Sequence, residues 1–171
     1  GFTKLINLFG PDHHGYIARM KAAVQALGYP EDALEVLILQ YVALLRDGQQ
    51  VKLSKRAGEF LTLQDLFDEV GRDAARYFFL MRSLDSHLDF DLSLAAEQSS
   101  DNPVYYIQYA HARICSILQQ ANQQNVTVKS SKDVNLTLLQ HESEIDLMKK
   151  LADLPGELLI AAQERAPHRI A

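Results

Sequence analysis

Apolar positions recur along the chain first at strand-like and then at helical spacing, and the change divides it. Leu5-Ile6-Asn7-Leu8-Phe9 is a short apolar run stopped by Gly10-Pro11, which predicts a buried strand feeding a turn. From Tyr16 to Leu27 the residues Ile17, Met20, Val24 and Leu27 stand at helical spacing, with Gly28 placed as a C-terminal cap. Strand, glycine turn and helix make half of an α/β unit. Ala33 to Leu45 is apolar on both faces, so periodicity alone does not decide it. Val36, Ile38, Tyr41 and Val42 favour a buried strand, and Asp47-Gly48 a hairpin turn after it.

From Thr62 onward the pattern is helical. Thr62 with Asp65 three positions later resembles a capping box, and Gly71 closes that helix. Asp73 is expected to cap a second helix, Ala74 to Met81. Ser86 to Leu92 alternates polar and apolar residues, which predicts an extended segment. Asp101-Asn102-Pro103 pairs a capping side chain with proline at the first helical position. The helix it starts is expected to run to about Gln120, with an apolar stripe of Ile107, Ala110, Ile114, Ile117 and Leu118 turned to a bundle core. Asn122 to Asn135 is polar without period and reads as a loop. Helical pattern returns from Leu136 to Leu151, breaks at Pro155-Gly156, and resumes to Ala171.

The expected architecture is therefore mixed α/β and then α. It divides as residues 1–60, an α/β region; 61–100, a helical connection; and 101–171, the opening of a helical bundle, with the second boundary near Ser99 to Asn102. The chain starts on Gly1-Phe2 and stops inside amphipathic sequence, so it is expected to be a piece of a longer protein.

Composition narrows the class. With 171 residues, 47% apolar and 23% charged, the chain can build a core and is not disordered throughout. Its longest nearly apolar stretch, Ala33 to Leu45, holds Glu35 and Gln40 and is too short to span a bilayer. Cys115 is the single cysteine, which excludes an internal disulfide, and no signal peptide is visible; a cytoplasmic location is expected. The net charge of −5 argues against a generally basic nucleic-acid binder. Yet residues 61–101 hold 9 acidic and 3 basic side chains, while residues 1–60 and 102–171 are close to balanced. Either flank can meet a phosphate without opposing a strong field of its own.

Three elements carry candidate chemistry. Lys52-Leu53-Ser54-Lys55-Arg56, between Gly48 and Gly58, reads either as a solvated basic loop or as a loop whose lysines sit on a polyphosphate. It lacks the frame of a Walker A loop. Gly10-Pro11-Asp12-His13-His14-Gly15 reads either as a polar turn with a capping Asp or as a nucleotide site at the carboxyl end of a strand. There the Asp would accept from ribose hydroxyls. A metal on Asp12, His13 and His14 is disfavoured, because adjacent residues diverge and no third ligand stands at i+3 or i+4. Finally, Tyr106, Tyr109 and Arg113 share a helix face. They are either core tyrosines or rings that stack on bases beside a guanidinium for phosphate.

Together with Ser86-His87-Leu88-Asp89-Phe90-Asp91 and the run Asn102 to Arg113, these elements, taken in chain order from Gly10, closely resemble bacterial arginyl-tRNA synthetases of class I. The lysine loop marks class I in general; the Asp-His-His turn and the Tyr-Ala-His-Ala-Arg helix point to the arginyl member. The resemblance implies the second half of a Rossmann-type nucleotide-binding domain, followed by the first part of an anticodon-binding bundle. Gly10 and Asp12 would meet the ATP ribose, and His13 and His14 the nucleotide or the arginine. Val51 to Leu53 would lie along the adenine, with Ser54 in the same loop. Lys52 and Lys55 would hold the triphosphate while the arginine carboxylate attacks the α-phosphorus. It further implies magnesium with ATP, no structural metal, and tRNA(Arg), arginine and ATP as partners of a monomeric parent enzyme. Tyr106, Tyr109 and Arg113 would face the tRNA. Leu53 in place of the usual Met, and Pro11 where Ala is common, are small departures. The His-Ile-Gly-His signature of the family's first catalytic half is absent from these residues, so the piece alone is expected to be inactive. A reading from another class is a non-catalytic helical module that binds RNA or protein.

Overall fold

Leu5–Phe9 forms strand β1, and it pairs in parallel with β2, Leu34–Ile38, through helix α1, Ile17–Ala26. This is the strand–turn–helix unit read from the pattern. The structure is a computed structural model and describes residues 2–51 and 61–171. Its content is mixed α/β with helix predominating. The chain falls into two compact units, Gly1–Ala95 and Ala96–Ala171.

In the first unit, the apolar run Ala33 to Leu45 is two strands and not one. β2 ends at Ile38, and β3, Val42–Arg46, starts after three residues. The reason is a change of partner. Leu39 N–H donates to Phe9 O at 2.7 Å, beside β1, while Gln40 N–H donates to Leu84 O at 2.9 Å, short of β5, Leu88–Asp91. β3 then pairs in parallel with β5 and antiparallel with β4, Gln49–Gln50. The β3–β4 turn is the expected hairpin: Asp47 and Gly48 both have positive φ, 51° and 73°, as a two-residue turn of matching twist requires. β1 is less buried than its composition suggests, with Leu5, Ile6 and Leu8 48–60% exposed. A two-stranded pair with one helix leaves much of its faces open.

The core lies further along. Phe90 and Ala75 are fully buried and Leu92 nearly so, packed with Leu66, Phe78, Leu88 and Ala95. The Phe90 ring sits 5.4 Å from Phe78 and 5.1 Å from Phe79. These side chains come from α2 (Leu63–Val70), α3 (Arg72–Leu80), β5 and α4 (Leu92–Ala96). Thr62 and Asp65 form the predicted capping box. Hydrogen bonds from the Thr62 hydroxyl and then from its backbone N–H hold the Asp65 carboxyl below its ordinary value of 3.8. A depressed carboxylate stabilises above the unfolded value, so this cap weakens only as pH falls through the lower folded value. Gly71, at φ 83°, both ends α2 and starts α3, so Asp73 lies in the first turn of α3 and is not its N-cap. There its charge complements the helix dipole.

The second unit holds two long helices. α5, Pro103–Gln123, starts as predicted, with Val104 N–H donating to Asn102 Oδ1 at 3.0 Å. Its apolar stripe is exposed: Ile107, Ile114, Ile117 and Leu118 are 45–62% open, so the expected burial against a bundle core is not seen among the described residues. α6, Glu142–Glu164, runs straight through Pro155, where a break is predicted. Long helical flanks on both sides outweigh one missing hydrogen bond, and Leu151, whose carbonyl loses its partner, is exposed to solvent. Leu136–Leu138 is a single 3-10 turn. The long helix starts later, where His141 N–H donates to Glu144 Oε2 at 2.9 Å.

Candidate functional site

Parallel register sets Phe9 beside Ile38, so β1 and β2 present their carboxyl ends on one edge. Open α/β sheets take their ligands at such an edge. The segment leaving β1 coils at once into a 3-10 turn, Pro11–Tyr16, with proline at its first position and His13 N–H donating to Gly10 O at 3.0 Å. The Asp12 carboxylate folds back over Gly10: a Cβ there would lie 2.8 Å from Asp12 Oδ1. The φ of −69° suits any residue, so what the missing side chain at Gly10 allows is this approach of the Asp12 carboxylate, which an added Cβ would push aside.

His13 lies between two rings. Its imidazole is 5.9 Å from Phe9 and 5.7 Å, edge-on, from Tyr16, and Arg19 Cζ lies 5.3 Å from the Tyr16 ring centroid. His13 Nε2 is 3.7 Å from Asp12 Oδ2. Gly10, Asp12 and His13 are thus brought together. His14 instead lines a groove of about 580 Å³ along α1 with Lys21, Gln25 and Glu31. Tyr16 and Arg19 were not among the candidates. Their signal is the spacing His13, Tyr16, Arg19, three residues apart, which stacks one residue per turn from the 3-10 turn into α1 after Phe9 ends β1.

Val51 follows β4, and its N–H donates to Leu44 O at 2.8 Å. The hairpin that carries it is anchored twice within its unit. Arg46 Nη2 reaches both Glu69 carboxylate oxygens at 2.7 and 2.9 Å, and Ser93 Oγ donates to Asp47 Oδ1 at 2.8 Å. Lys52, Leu53, Ser54 and Lys55 lie outside the described residues.

On α5, Arg113 Nη1 donates to the Tyr109 hydroxyl at 2.9 Å, with the guanidinium 5.6 Å from the ring centroid. Tyr106 and Tyr109 are 59% and 48% exposed, so neither is a core side chain in this structure. Tyr109, Ala112, Arg113, Ser116, Ile117 and Gln120 line a groove of about 420 Å³. Ile117 belongs to it, so the apolar stripe adjoins the Tyr109–Arg113 face and does not oppose it. Among the described residues, no three His, Cys, Asp or Glu side chains group so as to hold a metal, and no helix is long and apolar enough to cross a membrane.

Residues 107–171 match the DALR anticodon binding domain. The match falls within the helical second unit. Over 170 residues, 99% of its length, the chain is 57% identical to an arginine–tRNA ligase of Symbiobacterium thermophilum. Over its full length it is 55% identical to one from Desulforamulus reducens. A solved arginyl-tRNA synthetase structure from Campylobacter jejuni superposes with a TM-score of 0.82 at 42% identity, over 99% of this chain and 36% of that one. The Thermus thermophilus arginyl-tRNA synthetase shares the fold at a TM-score of 0.68 and 24% identity, over 98% of this chain and 30% of that one. Over nearly its whole length the chain is thus similar to arginyl-tRNA synthetases. It spans about 30% of the length of the curated relatives it matches.

Proposed function

We propose that the full-length protein is an arginine–tRNA ligase, which activates arginine with ATP and transfers it to tRNA(Arg). The observation that carries this reading is identity of 55–57% to arginine–tRNA ligases across essentially every residue of the chain. Residues 1–60 act as the second half of a Rossmann-type catalytic domain, 61–100 as a helical connection, and 101–171 as the opening of the anticodon-binding domain. The enzyme works in the cytoplasm as a monomer.

In activation, a carboxylate oxygen of arginine bonds to the α-phosphorus of ATP as the bond to the β-phosphate oxygen breaks. Arginyl-adenylate forms and pyrophosphate leaves. Lys52 and Lys55 hold the triphosphate and offset the charge that builds at phosphorus. Gly10 and Asp12 take the ribose, His13 and His14 the nucleotide or the arginine, and the main chain of Val51 to Leu53 the adenine, with Ser54 beside the phosphates. Magnesium arrives on the phosphates of ATP; an ion that keeps most of its water needs no all-protein cage.

The isolated chain is expected to show no arginine-dependent ATP–pyrophosphate exchange. The step depends on groups from both catalytic halves, and the His-Ile-Gly-His signature of the first is not in these residues. Exchange above a no-enzyme control, abolished by Lys55→Ala, would overturn that expectation. In the full-length enzyme, Gly10→Ala should raise the ATP KM, because the new Cβ would displace the Asp12 carboxylate from 2.8 Å. An unchanged ATP KM would remove Asp12 from the ribose.

A further inference from the structure

Among the described residues, no short hydrogen bond fixes the His13 imidazole. Its nearest polar partner, Asp12 Oδ2, stands at 3.7 Å, beyond hydrogen-bond reach. What borders the ring is aromatic. Phe9, at the last position of β1, lies on one side, and Tyr16, closing the 3-10 turn, meets it edge-on at an interplanar angle of 66°. The Tyr16 ring in turn lies 5.3 Å from the Arg19 guanidinium, in the first turn of α1. Four side chains from strand, turn and helix therefore form one file along the carboxyl edge of β1.

The file is not core packing. Tyr16 is 51% exposed and the His13 side chain 55%, whereas the core rings Phe78 and Phe90 are buried. Edge-to-face contacts between rings have a preferred geometry, and a guanidinium over a tyrosine restrains it further. An exposed imidazole braced this way keeps its plane without a short hydrogen bond from either ring nitrogen to a described residue. Both nitrogens stay available to a ligand at the strand edge.

We propose that Tyr16 is a positioning residue: its ring orients the His13 imidazole toward the ATP bound at the carboxyl edge of β1. The inference rests on the reading of His13 as an ATP contact, and it adds that the contact is set by a ring and not by a hydroxyl. The experiment uses the full-length enzyme. ATP KM, kcat and melting temperature are measured for Tyr16→Ala, Tyr16→Phe, His13→Ala and the double variant Tyr16→Ala/His13→Ala.

Tyr16→Ala is expected to raise the ATP KM about threefold to tenfold, the range one aromatic contact can carry, with kcat and melting temperature little changed. Tyr16→Phe should restore the wild-type value, since the ring remains. In the His13→Ala background, Tyr16→Ala should add nothing further, because a positioning residue has no effect once its target is gone. A wild-type KM for His13→Ala would sink the ATP reading of His13, and the inference with it. A raised KM for His13→Ala with additive effects in the double variant, or failure of Tyr16→Phe to restore, would overturn the inference alone. A Tyr16→Ala variant that loses melting temperature in step with activity would likewise make Tyr16 a structural residue.

Discussion

Replacing Lys55 by alanine in the full-length enzyme is expected to lower the rate of arginyl-adenylate formation by about a hundredfold or more, with the arginine Kd nearly unchanged. The removal of one donor aimed at developing charge in a closed site is worth about 3–4 kcal/mol of transition-state energy. Arginine carries no phosphate, so its ground-state affinity has little reason to follow. Single-turnover measurement of adenylate formation beside equilibrium arginine binding separates the two quantities. A raised arginine Kd with an unchanged chemical step would make Lys55 a ground-state contact and overturn the proposed mechanism. Lys52→Ala should act in the same direction. Protection of both lysines from acylation by ATP is a further check, because a helical binding module without catalysis has no use for a triphosphate on that loop.

Local signals in the sequence carried over to the structure wherever one residue and its near neighbours decide the outcome. Thr62 and Asp65 cap α2, Asn102 caps α5 ahead of Pro103, and Asp47-Gly48 turns the hairpin, each through bonds within a few positions. Features settled by distant partners were not legible. The split of Ala33 to Leu45 into β2 and β3 depends on Leu39 bonding to Phe9 while Gln40 bonds to Leu84, which no periodicity encodes. Pro155 predicts a break because its local effect is destabilising, whereas the helical residues on either side decide the matter. Burial is the least local of these features. Apolar spacing marks the face that β1 or α5 offers, but not whether anything covers it, and Leu8 and Ile114 are 60% and 58% exposed. At the site, Gly10, Asp12 and His13 were legible from the turn that joins strand to helix. The edge-on approach of Tyr16 to His13 was not, because it depends on the 3-10 geometry of the intervening turn.

On α5, the largest effects are expected in tRNA binding. Arg113→Ala in the full-length enzyme should weaken tRNA binding and flatten its salt dependence, since one phosphate contact contributes a slope of about one. Tyr109→Ala should weaken binding by about 1–3 kcal/mol if its ring stacks on a base. The structure couples the two, because the Tyr109 hydroxyl accepts from Arg113 Nη1 at 2.9 Å. The double variant should therefore lose less than the sum of the single losses. Tyr109→Phe isolates the hydroxyl: it keeps the stacking ring but frees the guanidinium, so it should shift the salt slope more than the affinity. None of these changes should alter arginine activation without tRNA. Exposure supports this pattern, since Tyr109 is 48% open and truncation leaves no buried cavity to destabilise the helix. Melting temperature and tRNA Kd at two salt concentrations give the decisive pair of measurements. Variants that melt early and keep the wild-type salt slope would assign this face to packing against protein and remove it from the tRNA interface.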